Sequence, residues 1–470
     1  MKQLENGKVV LDENNVKFEL TKELSRGGQG TVWRTTDKNT AIKFEFKDSE
    51  SGEILEDTSS NEKYNLIRLL PISNDIHLTL PKSVLKNNAG YTMDILEGMQ
   101  SLGKTFYEEK VEAANEWIKE NTGENWEYFS RYILTGGKRK RLIVFLEIAK
   151  ILSKLHMNGL VYCDLSPNNI FITSKGKNVN VWLIDADNIN YQEETRKTGY
   201  YTPRYGAPEV TIRGKGCTFY SDSYSLAILL FEELIMNHPF VGSAENSDEA
   251  DWESENQDEI SFEDKIHYGL LPWILDEEDD SNSLSESELP LLNTLSEGIK
   301  KKFSRTFSKY GKETPLARMS SFEWFEMIAF ELDNTAKCKK CGLDYIETEE
   351  NLCPWCDTKN RILKINSYSE DNKKIWSFYQ EIEKNKKRIP LRMIEGISLK
   401  QTIESIFDIK IEDDKIEFSN FYFKYKFYII ENDNKKRMIG IYNKKYKEKI
   451  KLIAINEKSK KEVILEVELI

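Results

Sequence analysis

The run Leu160-Val161-Tyr162-Cys163-Asp164-Leu165-Ser166-Pro167-Asn168-Asn169-Ile170-Phe171 decides how the rest of this 470-residue chain is read. It sets an aspartate and, five residues on, an asparagine into a short polar turn between two apolar runs. At that spacing Asp164 can orient a hydroxyl and accept its proton, while Asn169 can bind Mg²⁺ from the other side of the loop. Upstream, Arg141 to His156 places Leu142, Phe145, Leu146, Ala149, Leu152 and Leu155 at helical spacing, and Gly159 follows as a stop. The pattern predicts a buried amphipathic helix. Downstream, Val181-Trp182-Leu183-Ile184 is an apolar strand that ends in Asp185, a second oxygen ligand for Mg²⁺. Singly, each group is equally a solvated Asp or Asn turn; three in this order point to phosphate chemistry.

Toward the N-terminus, residues 16–46 alternate in a strand-like way around Ser25-Arg26-Gly27-Gly28-Gln29-Gly30-Thr31-Val32. A flexible glycine-rich turn lets backbone N–H groups approach the β- and γ-phosphates, although such a hairpin is also an ordinary turn, and Ser25 replaces the first glycine of G-x-G-x-x-G. Ala41-Ile42-Lys43 follows on the next strand, where Lys43 can neutralise phosphate charge and needs a carboxylate to hold it. Glu62 is the expected partner, near the start of a helix from Ser59 to Leu70. Ser59-x-x-Glu62 is also a capping box, and Glu53 and Glu56 compete for the role. Ser83–Lys86 and Gly90–Ile95 read as strands, the second leading into a hinge at Leu96-Glu97-Gly98.

With these motifs in this order, the chain from about Lys17 to Asp333 resembles the eukaryotic-like, bacterial-type Ser/Thr protein kinases. Ala207-Pro208-Glu209 resembles the end of an activation segment, Ser221-Asp222-x-Tyr224-Ser225 the start of the central large-lobe helix, and Arg318 the arginine that pairs with Glu209. These features favour a protein substrate, and Thr202, which resembles the threonine that bonds near the catalytic aspartate, favours Ser/Thr acceptors. The resemblance implies an α+β, bilobal fold over residues 1–333, with a small lobe of about 1–95 and a large lobe of about 96–333. It implies ATP with Mg²⁺ or Mn²⁺. The implied nucleotide-binding set is Ser25, Gly27, Gly28, Gly30, Val32, Ala41, Lys43, Glu62, Asp94 and Leu96. The implied catalytic set is Lys43, Asp164, Ser166, Asn169 and Asp185, with Asn169 and Asp185 holding the metal.

Departures from the family pattern bear on activity. Cys163 replaces the arginine that would receive an activation-loop phosphate, and Ser166 the lysine that contacts the γ-phosphate. Tyr162 and Ala186 replace a histidine and a phenylalanine, a compensating exchange of volume. Asp187 replaces a glycine; its carboxylate either disfavours flipping of the segment or assists the metal. These changes support an alternative, a pseudokinase or nucleotide-sensing scaffold that recruits partners through its C-terminal domains. Retention of Lys43, Asp164, Asn169 and Asp185 favours phosphoryl transfer, with Thr195, Thr198 and Thr202 as autophosphorylation candidates.

Hydrophobic content of 39% over this length allows two or three cores. No apolar run is long enough to span a membrane and the N-terminus lacks a signal-like pattern, so the expected setting is cytoplasmic. The net charge of −12 is uneven: residues 241–290 are acidic and read as a partly mobile insertion, while the last hundred residues interleave Lys and Glu, which makes nucleic acid an unlikely partner. Helices are expected at Ser221–Ile235 and at 316–332. Cys338-x-x-Cys341 and Cys353-x-x-Cys356 have the spacing of one structural, tetrahedral Zn²⁺ site, a zinc ribbon over 334–360. Residues 361–470 read as a small β-rich domain, with strands at Ile406–Ile411, Lys415–Ile430, Arg437–Tyr442, Ile450–Ile455 and Val463–Ile470 and a turn at 432–434. There Phe418, Phe421, Phe423 and Phe427 are expected to pack rather than stack on bases. Kinase, ribbon and β-rich tail together resemble, more weakly, bacterial kinases of tellurium-resistance-like clusters, which implies a von Willebrand factor A protein and a PP2C-type phosphatase as partners.

Overall fold

The structure, a computed structural model, describes residues 4–48, 51–107, 111–173, 179–192, 201–246, 260–285, 288–382, 386–400, 404–412, 415–431, 434–445 and 449–470. Thr195, Thr198, part of the acidic segment and most of the 432–434 turn lie outside the described residues.

Six antiparallel strands build the first lobe: β1 (Val9–Leu11), β2 (Lys17–Arg26), β3 (Gly30–Thr35), β4 (Thr40–Glu45), β5 (Ser83–Val84) and β6 (Gly90–Asp94), in the order β1-β2-β3-β4-β6-β5. Alternation buries Thr31, Trp33 and Thr35 of β3, and Leu20, Trp33, Ile42, Phe44 and Leu85 form the core beneath. Helix α1 (Asn61–Arg68) crosses the sheet and buries Tyr64 and Ile67 against Val84 and Tyr91. The expected Ser59–Glu62 capping box does not form. Asp57 instead accepts from the Ser59 N–H and opens a 3₁₀ turn ahead of the helix.

Helices dominate the second lobe: α2 (Leu102–Phe106), α3 (Glu116–Asn121), α4 (Trp126–Leu134), α5 (Gly137–Met157), α6 (Pro208–Thr211), α7 (Phe219–Ile235), α8 (Phe262–His267), α9 (Glu297–Phe307), α10 (Lys309–Glu313) and α11 (Ser321–Asp333). The 21-residue α5 and the 17-residue α7 are buried on most of their circumference, so they form the lobe's centre. Short strands β7 (Met99–Ser101), β8 (Leu160–Val161), β9 (Ile170–Thr173), β10 (Val181–Leu183) and β11 (Asn190–Tyr191) pair as β10-β9-β7 and β11-β8 on the side facing the first lobe. The helix expected over 316–332 starts later, because Pro315 opens a 3₁₀ turn and Ser320 then caps α11 with Glu323. The described part of the acidic segment is not an appendage. Trp273 and Ile274 are buried, and the Trp273 ring packs against Phe231 and Phe307, since apolar groups of this size gain more by joining the core than the acidic flanks lose.

Strands β12 (Ala336–Lys337) and β13 (Asp344–Tyr345) then frame the cysteine cluster. Beyond it stand two sheets. One has the order β15-β14-β23-β22-β19-β20 and comprises β14 (Ile362–Ser369), β15 (Lys374–Glu381), β19 (Tyr425–Glu431), β20 (Asn434–Arg437), β22 (Ile450–Asn456) and β23 (Glu462–Leu469). The other, β16-β17-β18-β21, comprises β16 (Lys387–Pro390), β17 (Ser405–Glu412), β18 (Lys415–Ser419) and β21 (Tyr442–Lys445). The single strand expected over Lys415–Ile430 is two, one in each sheet, separated at Asn420, whose φ of 54° ends β18. The strand expected over Arg437–Tyr442 does not form: residues 438–441 connect β20, which ends at Arg437, to β21, which starts at Tyr442. Phe407 gathers Phe418, Phe421 and Phe427 around it, whereas Phe423 is 77% exposed and does not join that packing.

This β-rich region is fastened to α11. Asp333 accepts two hydrogen bonds from Arg392 at 2.5 Å and one from Trp376 Nε1 at 2.8 Å, and Arg139 of α5 pairs with Glu381. Among the described residues no helix is long and apolar enough to cross a membrane.

Candidate active site

The Asp164–Asn169 turn, the candidate catalytic turn, is held from below. Asp222, in the first turn of α7, accepts from the Tyr162 N–H at 2.7 Å and the Cys163 N–H at 2.9 Å, and His156 of α5 stands 3.1 Å from the same carboxylate. The Asp222 side chain is fully buried, so these charge-assisted bonds are strong. They fix Cys163 at φ 76°, a left-handed conformation that costs energy for a residue with a Cβ and that aims the next residue, Asp164, into the interlobe cleft. Tyr162 is buried and its hydroxyl donates to the Ile184 carbonyl, tying the turn to β10 where a histidine would have been smaller.

Asp164 is half-buried and held at both oxygens: Thr202 Oγ1 donates to Oδ1 at 2.6 Å and Asn169 Nδ2 to Oδ2 at 3.2 Å. Asn169 also donates to the Asp164 carbonyl at 2.9 Å, while its own N–H bonds the Ser166 carbonyl at 3.0 Å. Ser166 is buried within the turn, and its carbonyl accepts the Asn169 N–H. Asp185 follows β10 at φ 60°.

Lys43, on β4 opposite Val32, is 6% exposed and donates to Asp187 Oδ2 at 2.6 Å and to Asp185 Oδ1. Glu62 is exposed on the first turn of α1 and is no part of this assembly, contrary to expectation. Tyr64 occupies the inward face of α1, with its hydroxyl donating to Glu45. Tyr91, on β6, donates to Asp187 Oδ1 at 2.5 Å, and its ring lies 4.5 Å from that of Tyr64. Burial raises the Asp185 carboxyl to about 6, with the neighbouring Asp187 adding to it against the pull of Lys43. At Asp187 burial acts the same way, but Lys43 and the bonds from Lys43 and Tyr91 outweigh it and hold the group below its ordinary value.

At the rim, β2 and β3 meet in the glycine turn, where Gly27 N–H bonds the Gly30 carbonyl at 2.9 Å. A Cβ at Gly30 would fall 2.1 Å from the Phe44 carbonyl oxygen, so only glycine fits this approach. Ser25 pairs with Val32 across the hairpin, Ala41 is buried, and Leu96 is half-buried beyond β6. The Asp94 side chain is exposed and turned to Lys82. Tyr64, Tyr91 and Asp187 are the site residues whose role the sequence did not disclose.

Candidate metal ligands fall into two groups. Asn169 commits its amide nitrogen to Asp164, which leaves its carbonyl oxygen; Asp185 keeps the oxygen not taken by Lys43 on a side chain one-third exposed. Such oxygen donors suit a hard cation. The sulfurs of Cys338, Cys341, Cys353 and Cys356 all lie within 4.8 Å of one another, with Cys338–Cys356 at 3.6 Å and Cys341–Cys353 at 3.7 Å. A tetrahedral Zn²⁺ with bonds of about 2.3 Å sets its sulfurs roughly 3.8 Å apart, so the cluster fits zinc. Cys163 and Cys217 are buried beside the catalytic turn, and Cys217 Sγ approaches the Cys163 carbonyl.

Farther out, Arg318 forms a buried bidentate pair with Glu209, both bonds at 2.8 Å, which locks the segment after Thr202 to the base of the lobe.

A two-lobed fold with a strand lysine, an Asp–Asn turn and an Asp at the end of the following strand is the arrangement that protein kinases use. The protein kinase domain matches residues 18–295, more than half of the chain, and the chain belongs to the protein kinase family. Serine/threonine-protein kinase AtPK1/AtPK6 of Arabidopsis thaliana is 38% identical over 99 residues, 21% of this chain and 20% of that protein. Serine/threonine-protein kinase dkf-2 of Caenorhabditis briggsae is 25% identical over 220 residues, 46% of this chain and 16% of that one. cGMP-dependent protein kinase 2 of Mus musculus is 39% identical over 90 residues, 19% and 11% of the two chains. The chain thus spans a fifth or less of the length of these relatives.

Proposed function

We propose that the chain transfers the γ-phosphoryl group of ATP to Ser or Thr hydroxyls of a protein substrate, its own activation segment included. The setting of Asp164 carries this reading: with each oxygen fixed by one donor, Thr202 and Asn169, the carboxylate is pre-aimed at an incoming hydroxyl. It orients that hydroxyl and takes its proton as the new O–P bond forms. Lys43 binds the α- and β-phosphates, and the backbone N–H groups of the Gly27–Gly30 turn cover the phosphate chain. Val32, Ala41 and Leu96 wall the base. Asn169 and Asp185 would hold Mg²⁺ or Mn²⁺, which supplies neutralisation of charge on the phosphate oxygens. The contact between Thr202 and Asp164 and the Ser/Thr kinase names of the relatives support the choice of acceptor.

The expected setting is cytoplasmic, with the ribbon (334–360) and β-rich region (361–470) recruiting partners. The arrangement of the three parts supports a von Willebrand factor A protein and a PP2C-type phosphatase in that role; a pull-down lacking both would count against it. The activity is tested by incubating wild-type and Asp185→Asn protein with Mg²⁺, γ-labelled ATP and a basic acceptor protein, reading phosphate sites by mass spectrometry. Incorporation into Ser or Thr that the variant loses is the expected result. Binding of Mg·ATP without incorporation would replace catalysis with the nucleotide-sensing scaffold.

A further inference from the structure

We infer that Asp187 is the positioning residue for Lys43, in the role that a glutamate on the small-lobe helix fills in protein kinases; the inference rests on the phosphoryl-transfer reading above. Three observations converge on it. First, α1 offers no competing anion. Its single acidic residue, Glu62, is exposed, and the α1 side chain turned inward at that level is the wholly buried Tyr64, whose hydroxyl serves Glu45 rather than Lys43.

Second, a buried ammonium must be paired, and Lys43 has two carboxylates of unlike kind. The Asp185 side chain is 33% exposed and belongs to the metal-facing side of the cleft; the Asp187 side chain is 4% exposed. When Asp185 turns to a cation, Asp187 is the anion left to hold the lysine. Third, Asp187 is itself tethered. Tyr91 donates to its other oxygen at 2.5 Å, Tyr91 is 2% exposed, and the Tyr64 ring packs on Tyr91 from the helix side. The chain Lys43–Asp187–Tyr91 therefore fixes the ammonium from β4, the Ala186–Asn188 turn and β6 together.

The arrangement changes what can control the enzyme. The lysine's anion sits two residues from Asp185 on the same turn, so the two phosphate-handling groups are set together. A swing of α1 has no ion pair to Lys43 to make or break, and α1 enters only through the Tyr64–Tyr91 contact.

The test compares full-length wild type with Asp187→Asn, Glu62→Ala and Tyr91→Phe, by steady-state kinetics and by calorimetric binding of metal-free ADP. Asp187→Asn keeps the size of the side chain and an acceptor for Tyr91, so a purely structural role would leave both readouts in place. The expected result is a fall in kcat of about 10- to 100-fold and ADP binding weakened by about tenfold. Glu62→Ala should stay within about twofold of wild type in both. Should Asp187→Asn fail to fold, Tyr91→Phe, which cuts only the tether, should raise the KM for ATP more than it lowers kcat. Wild-type behaviour of Asp187→Asn, a Glu62→Ala loss as large as the Asp187→Asn loss, or an unchanged KM in Tyr91→Phe when that variant is needed would overturn the assignment. An inactive wild type whose ADP binding Asp187→Asn still weakens would sink the catalytic reading and leave Asp187 in place.

Discussion

Asp164 depends on a hydroxyl that arrives from 38 residues along the chain, Thr202. Thr202→Ala should free one carboxylate oxygen and lower kcat about tenfold, with Thr202→Ser restoring most of it; equal activity of the two variants would show that the bond does not position the base. A second residue is expected to contribute to acid lability. His238 is neutral when folded, since burial, aided by the Arg204 charge, holds its pKa at about 3; its Nε2 lies 3.1 Å from the Arg204 carbonyl and Nδ1 accepts from the Phe240 N–H. The unfolded chain titrates near the ordinary value of 6.5, so below about pH 6.5 it takes up a proton that the folded state refuses. Stability is then lost by about 1.4 kcal/mol per pH unit from this group as pH falls toward 3, and denaturant midpoints of His238→Gln between pH 4 and 6.5 should slope less than those of wild type. Lys43, Asp164, Asn169 and Asp185 were legible as candidates because their identities and order are those the chemistry would need. Glu62 was misread for a geometric reason: residues two apart on a helix point roughly 200° apart, so an uncertain start to α1 suffices to exchange the face of Glu62 for that of Tyr64. Asp187 was visible as a carboxylate, but its partner across 144 residues was not.

Among the elements, α5 and α7 were the plainest in the sequence, because a long apolar periodicity has one solution, and both occur within a few residues of where the pattern put them. What the pattern could not show is that α7 exists in part to hold the catalytic turn. Asp222→Ala removes the acceptor of two buried N–H groups and frees a backbone kept at φ 76° by those bonds. A loss of about 2–5 kcal/mol in urea unfolding is expected, together with a fall in kcat larger than any change in the KM for ATP, since the nucleotide groups lie on other elements. A variant that is destabilised yet keeps wild-type kcat would show that the turn holds its shape unaided. Boundaries were read less well where a local device overrides periodicity: Pro315 and the Ser320–Glu323 cap delay α11, and Asn420 in a left-handed conformation divides one apparent strand into β18 and β19. Strands β14 and β15 carry no clean alternation, because each buries a run of consecutive residues, β15 in part against α11, and they went unread.

At the scale of the molecule, the cysteine spacing disclosed a four-thiolate cluster that fits zinc but not what the ribbon is for. The cluster is wedged against the corner between α4 and α5. Asn115 donates to the Cys341 carbonyl at 2.9 Å, the buried Asp344 accepts from the Lys138 N–H at 2.7 Å, and the Trp355 ring lies 5.5 Å from that of Phe129. Gly137 and Lys138 open α5, the same helix that ends at the catalytic turn, and Lys138 is itself locked in a fully buried pair with Glu331 of α11. These partners are some 200 residues apart in sequence, so no local pattern announces them. Leu343 and Tyr345 are buried in the core of the lobe, and an ion held by the four thiolates is expected to add to the order that keeps Asp344 over the start of α5. Elemental analysis should find one zinc per chain. Cys341→Ser, which leaves three ligands, should then unfold with the kinase lobe at a lower temperature: losing about 3 kcal/mol of docking corresponds to a Tm shift of roughly 4–6 °C for a unit of this size, read by tryptophan fluorescence and by nucleotide-dependent stabilisation alike. An early transition confined to the ribbon, with the nucleotide-stabilised transition unmoved, would instead mean that the kinase lobes stand without it.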